Sequence, residues 1–308
     1  MKCHFKELLS SVDDKNMKGA LKLFEFHIRT KNLTPKTISV YGERLGYFCR
    51  YLRENNIPFE KVDKHTIQDY VLLMQTKRLA AISINGRIKV LKIFYKFLKA
   101  EGLIDEDPAE KTPLMRMEKR FKPILSEQNI EQLLSVPNRK YFTGMRNFCM
   151  ILVFYDTLIR LSELINIRLR DVDLDNGTIK VFGKGRKERV VPIGAKTCKY
   201  LHRFIVFHRK DIQSEYVFCT MRGMPLDPRN ILRILERIGD RVGVHVSPHL
   251  IRHSGASHRA MSGMPAFLLQ KLLGHTTIQM TEKYVHLVDN EKLKVAFKQF
   301  SPLDAIRV

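Results

Sequence analysis

Apolar residues in the first third of the chain recur at intervals of three and four. Ile38, Tyr41, Leu45, Phe48 and Leu52 share one helical face, and Lys36, Arg44, Arg50 and Arg53 fall between them on others. Thr34-Pro35 ahead of that stripe supplies an N-cap and a proline at the first helical position. The same spacing predicts a second helix from Asp63 through Ile67, Tyr70, Val71 and Met74. A third opens at Ser83, carries Ile84, Ile88, Leu91, Tyr95 and Leu98, and stops at Gly102. Residues 1–110 therefore read as a helical domain, with about fifteen residues ahead of its main helices. The helical period then fails across 105–123, a mixed-charge stretch with three prolines, and 111–123 reads as a linker.

Beyond the linker, residues 124–308 read as a mixed domain. Helices are predicted at 126–135, 143–157 and 161–168. The pattern changes over 172–193, where Asn176-Gly177 is a hairpin-type turn and Thr178–Phe182 and Arg189–Ile193 are β-rich. Three antiparallel strands are expected there. Helical spacing returns from Ala195 to Phe300, including an apolar stripe of Leu293, Ala296, Phe297 and Phe300 that predicts a tail helix over 289–300. The fold class is mostly α with one small antiparallel sheet.

Composition adds a partner class. Lys and Arg number 54 against 32 Asp and Glu in 308 residues, a formal charge of +22. The excess is +7 through Thr112 and +15 beyond it, so both halves are basic. Two basic domains on a linker suit a polyanion, nucleic acid before anionic membrane or acidic protein. No apolar run approaches the ~18–20 residues of a membrane span, and the first residues lack a signal-peptide core. The five cysteines are scattered without a CxxC pair, which argues against a disulfide framework or structural zinc and for a reduced, cytoplasmic protein.

Several polar groups stand where chemistry could use them. Arg160 lies in the apolar stretch FYDTLIRLSELINI with Glu163 one turn on, a spacing that suits an ion pair. Lys184 lies between two glycines at a predicted hairpin tip, in a frame that is not a P-loop. His249 and Arg252 sit three apart on a helix opened by Ser247-Pro248. His249 and His253 are four apart, but Leu250 replaces the glutamate a zincin helix needs. His275 and Tyr284 follow, nine residues apart. No metal or other cofactor is called for by this set. Two guanidiniums can grip a phosphodiester and its transition state, a tyrosine hydroxyl can attack phosphorus, and a lysine or histidine can protonate the leaving oxygen.

T-L-I-R-L-S-E-L at 157–164, G-K-G-R-K-E-R-V-V-P-I at 183–193, S-P-H-L-I-R-H-S at 247–254, L-G-H at 273–275 and Tyr284 together resemble the tyrosine recombinases (λ-integrase family), most closely their short, Xer-like and transposon-type members. The resemblance spans roughly residues 16–300. It implies a helical, SAM-like core-binding domain and a catalytic domain closing on DNA as a C-shaped clamp. It also implies roles: Arg160 and Arg252 clamp the scissile phosphate, Glu163 buttresses Arg160, and Lys184 protonates the leaving 5′ oxygen. His249 assists proton transfer at the nucleophile, His275 binds a non-bridging oxygen, and Tyr284 attacks to leave a 3′-phosphotyrosyl bond. The implied partners are double-stranded DNA with inverted-repeat core sites, three further copies of the chain docked through the tail helix, and accessory proteins. The implied setting is a bacterial or mobile-element protein on the nucleoid, without the arm-binding domain of λ-type integrases. Strand exchange would pass through a Holliday junction. A type IB topoisomerase and a non-cleaving DNA-binding regulator are the rival readings. One departure is Leu158, where the family usually has glycine. A helical position accommodates leucine, and packing near Arg160 is what the change puts at stake.

Overall fold

The computed structural model describes residues 4–117, 123–183 and 188–285. Its contacts divide the chain into two compact units, Met1–Phe121 and Lys122–Val308.

The first unit is helical: α1 (His4–Ser11), α2 (Lys15–Thr30), α3 (Pro35–Glu54), α4 (Lys64–Thr76) and α5 (Ala81–Ala100). Local signals set the starts. Thr34 caps α3 by accepting the Thr37 N–H ahead of Pro35 at the first helical position, and Asp63 caps α4 in a reciprocal box with Thr66. The predicted stripes face inward. Ile38, Leu45, Phe48 and Leu52 meet Ile67, Tyr70, Ile84, Ile88, Leu91 and Tyr95 in one core. Phe5 of α1 is fully buried in that core, so the chain joins it almost from the start, ahead of the stripes on which the sequence reading rested. The stretch after α5 is also tied down, for Asn85 accepts from the Met115 N–H and donates to the Met115 carbonyl.

The second unit holds α6 (Glu127–Ser135), α7 (Phe142–Thr157), α8 (Leu161–Ile165), the strands β1 (Val172–Asp173), β2 (Thr178–Phe182) and β3 (Glu188–Pro192), then α9 (Ala195–Arg203), α10 (Pro228–Asp240), α11 (Pro248–Met261), α12 (Ala266–Leu273) and α13 (Gln279–Val285). The sheet is antiparallel in the order β1-β2-β3, with Val172 opposite Ile179 and Ile179 opposite Val191. Ile179, Val181 and Val191 point into the core beside α7 residues such as Met150 and Phe154.

Two elements depart from their sequence patterns. The helix expected over 161–168 ends at Ile165 because the chain is drawn into extended pairing: the Ile167 carbonyl accepts from the Val217 N–H, and the Leu169 N–H donates to the Glu215 carbonyl. Helical spacing also fails between α9 and α10, where Gly223 turns left-handed and Cys219 bridges Pro225. The 289–300 tail helix and the hairpin tip bearing Lys184 lie outside the described residues.

Candidate active site

The site is built where the C-terminal end of α7, the short α8, the edge of β3 and the helices α11–α13 meet. Arg259 fastens α11 to the end of α7, donating to the Tyr155 and Asp156 carbonyls and to the Asp156 carboxylate. Asp156 in turn accepts the Gly194 N–H. This clamp fixes the backbone from which Leu158 and Arg160 project.

Arg160 stands just before α8 rather than inside a helix. Its N–H donates to Glu163 Oε2 at 2.7 Å and its Nη1 to Oε1 at 3.0 Å. Glu163, with a side chain only 1% exposed, is shared. Arg189 of β3 donates to both carboxylate oxygens, at 2.8 and 3.0 Å. Burial by itself would raise the Glu163 carboxyl, yet the Arg189 hydrogen bonds, the Arg160 N–H and the two guanidinium charges hold it below its ordinary value. Glu163 therefore stays ionised between two cations. Arg189 escapes a sequence reading because its partner is 26 residues away on another element. The β-rich run after the G-K-G motif was the available signal.

Arg252 is 6% exposed and donates to two backbone carbonyls, Leu158 through Nη1 and Leu273 through Nη2 at 2.7 Å. Burial and then the nearby Arg160 charge bring its guanidinium down to about 10, so it keeps its proton at neutral pH but lacks solvation. A desolvated cation beside a second cation is a receptor for an anion. Arg160 Nη2 donates to the Gly274 carbonyl at 3.2 Å, so the two arginines hold consecutive carbonyls of the Leu-Gly-His motif. Gly274 itself is left-handed (φ +61°), and a Cβ there would stand 2.8 Å from the Arg189 guanidinium carbon, which is why this position takes glycine. The next residue, His275, pairs through Nδ1 with Thr281 Oγ1 at 2.9 Å, linking α12 to α13.

Tyr284 of α13 is 3% exposed, and its hydroxyl lies 3.2 Å from His253 Nδ1. Burial raises its pKa while the Arg252 charge works the other way, so the phenol is neutral at physiological pH. His253 entered the sequence reading only as half of a metal pair. Its place beside Arg252 on α11 gives it the tyrosine instead. His249, one turn earlier, is exposed at the start of the same helix. The structure thus brings together Arg160, Glu163, Arg252, His275 and Tyr284, adds Arg189 and His253, and keeps His249 on the shared helix. Among the described residues no cluster of His, Cys, Asp and Glu suits a metal ion.

Leu158 corrects an expectation. It is not helical but caps α7 in the left-handed conformation, φ 54° and ψ 28°, fully buried. A left-handed leucine costs about 1–2 kcal/mol that a glycine would not, whereas burying its side chain contributes about 1.5–3 kcal/mol. Burial offsets the strain.

Two fixed guanidiniums next to a tyrosine hydroxyl can hold a tetrahedral anion and expose its central atom to attack. That is the equipment of a phosphoryl-transfer enzyme. Comparison with protein-family models matches residues 123–291 to the Phage integrase family and residues 21–102 to the Phage integrase N-terminal SAM-like domain. The tyrosine recombinase XerC of Halalkalibacterium halodurans is 31% identical over 88% of this chain and 93% of its own length. XerD of Staphylococcus haemolyticus is 30% identical over 88% and 94%. The chain belongs to the phage integrase family and is a tyrosine recombinase, an enzyme of site-specific recombination. The fold also matches the Tn1549 transposon integrase solved with a circular intermediate DNA, at a TM-score of 0.74 and 19% identity over 91% of this chain and 99% of that one.

Proposed function

We propose that the chain binds double-stranded DNA at inverted-repeat core sites and exchanges strands through a covalent 3′-phosphotyrosyl intermediate. The observation that carries this reading is the pair of guanidiniums held on the adjacent Leu273 and Gly274 carbonyls with Tyr284 beside Arg252. Arg160 and Arg252 take the non-bridging oxygens of the scissile phosphate, and His275 adds a third donor. The Tyr284 oxygen attacks phosphorus as the bond to the 5′ oxygen breaks. Lys184 gives the departing oxygen its proton, and the tyrosine proton passes to the histidines of α11, His249 and His253. Attack by a partner strand's 5′-hydroxyl reverses these transfers and releases the tyrosine. The bond energy is kept in the phosphotyrosine, so ATP is not consumed.

Strand exchange between two sites calls for four protomers and a Holliday junction, and the 289–300 segment is our candidate for docking one protomer to the next. Accessory proteins would then set the direction of exchange. A topoisomerase or a non-cleaving regulator is not favoured by the family relationship.

The test begins with selection of a bound sequence from a random duplex library. A duplex carrying that site, nicked near the cleavage point, traps the covalent adduct. Wild-type protein should accumulate adduct, and Tyr284→Phe should bind the same duplex with near wild-type affinity yet form none. Adduct with the phenylalanine variant would reject Tyr284 as the nucleophile.

A further inference from the structure

Leu158 occupies a backbone conformation that a glycine would adopt without strain, so something other than the backbone must account for the leucine. Three contacts supply the account. Its carbonyl accepts from Arg252 Nη1. Its side chain lies fully buried in an apolar cluster with Ala256 and Ala260 of α11, Leu269 and Leu273 of α12, and Tyr284 of α13. The space it fills is left open by Gly255, where a Cβ would come within 2.7 Å of Leu158 Cδ2 and 2.6 Å of the Tyr155 carbonyl oxygen. Of the α13 side chains described, only Thr281 and Tyr284 are buried, and Tyr284 is the one seated in this cluster. A strained residue that persists only because its surroundings over-determine it points to a role at the site it borders.

We propose that Leu158 is a positioning residue for strand cleavage. Its side chain forms part of the seat for Tyr284, and its carbonyl orients Arg252, so one residue places the nucleophile against the phosphate-binding cation. Gly255 is its counterpart, the missing Cβ that makes room for the leucine. The proposal rests on Tyr284 being the nucleophile.

Leu158→Gly isolates the side chain, because glycine keeps the left-handed backbone and hence the carbonyl on Arg252. Leu158→Met restores volume without changing polarity. Both are assayed on the selected, nicked duplex at saturating protein, well below the melting temperature of each variant. Duplex affinity should be unchanged for both. The maximal rate of adduct formation should fall on the order of 10²-fold for Leu158→Gly, as for a small misplacement of reacting groups, and stay within roughly threefold for Leu158→Met. If Leu158→Gly does not fold, Leu158→Asn takes its place with the same expected loss, because asparagine tolerates the left-handed backbone while its amide disrupts the apolar seat. A glycine variant that cleaves at the wild-type rate overturns the proposal. So does a methionine variant that loses cleavage and melting temperature together, since that pattern marks a purely structural residue. A wild-type protein that forms no adduct rejects the nucleophile assignment, a different result.

Discussion

At the scale of single residues, Arg252 shows why charge alone cannot do this job. Its two terminal nitrogens hold carbonyls that belong to different elements, Leu158 after α7 and Leu273 at the end of α12. An ammonium group is a point donor on a flexible stem and cannot reproduce that planar span. The same burial that lowers the guanidinium to about 10 would draw a lysine, ordinarily about 10.4, toward neutral pH. Arg252→Lys should therefore lose both the fork and part of the charge, and adduct formation should fall by about 10²–10³-fold. Single-turnover cleavage of the nicked duplex measures it. A lysine variant that cleaves normally would reduce Arg252 to a structural tie.

Elements carry the next level of control, and Glu163 shows it. The carboxylate joins the start of α8 to β3, the strand that follows Lys184 in the sequence, so it couples two parts of the proposed cleavage machinery. Its pKa is depressed in the fold. The stabilisation it supplies is thus fully present above the ordinary value of 4.5 and is lost as pH falls through the lower folded value. Glu163→Gln should cost about 1–3 kcal/mol at neutral pH by leaving the half-buried Arg160 and Arg189 guanidiniums short of a counter-charge. The gap in melting temperature between wild type and variant should close as the solution is taken below pH 4.5. A gap that stays constant with pH would mean the pair of ion pairs is energetically idle.

What the sequence made legible follows from range. The starts of α3, α4, α6 and α11 could be read because a cap is a matter of four adjacent residues: Thr34, Asp63, Ser126 and Ser247 each accept an N–H three positions on. The hairpin strands could be read because alternation and an Asn-Gly turn are equally local. The end of α8 could not, since residues 215–217 impose it from about fifty positions away. Arg189 was missed for the same reason. Leu158 was misread as helical because nothing in a leucine announces a left-handed backbone, and only the space at Gly255 and the waiting Arg252 make that conformation worth adopting.

At the scale of the whole molecule, two basic units share the proposed DNA target, and the segment following Tyr284 bears on assembly. Deleting residues 289–308 should leave binding to a single selected site nearly intact, because 50 of the 54 lysines and arginines lie ahead of that segment. Tetramer formation on paired sites and strand exchange should both fail, as read by gel mobility and by recombinant product. A truncated chain that recombines normally would remove the tail from the mechanism, and one that loses single-site binding would show that it serves its own protomer's fold.

A protein with a charge of +22 spends most of its encounters with a chromosome on sequences that are not its target, since phosphate attraction is blind to base order. A permanently exposed tyrosine would turn each of those encounters into a chance of breakage. Tyr284 instead rests 3% exposed against His253. On the proposed chemistry the seat that aims the hydroxyl also keeps it covered, and genome integrity during the search depends on how rarely a stray phosphate settles between the two arginines before the right site is found.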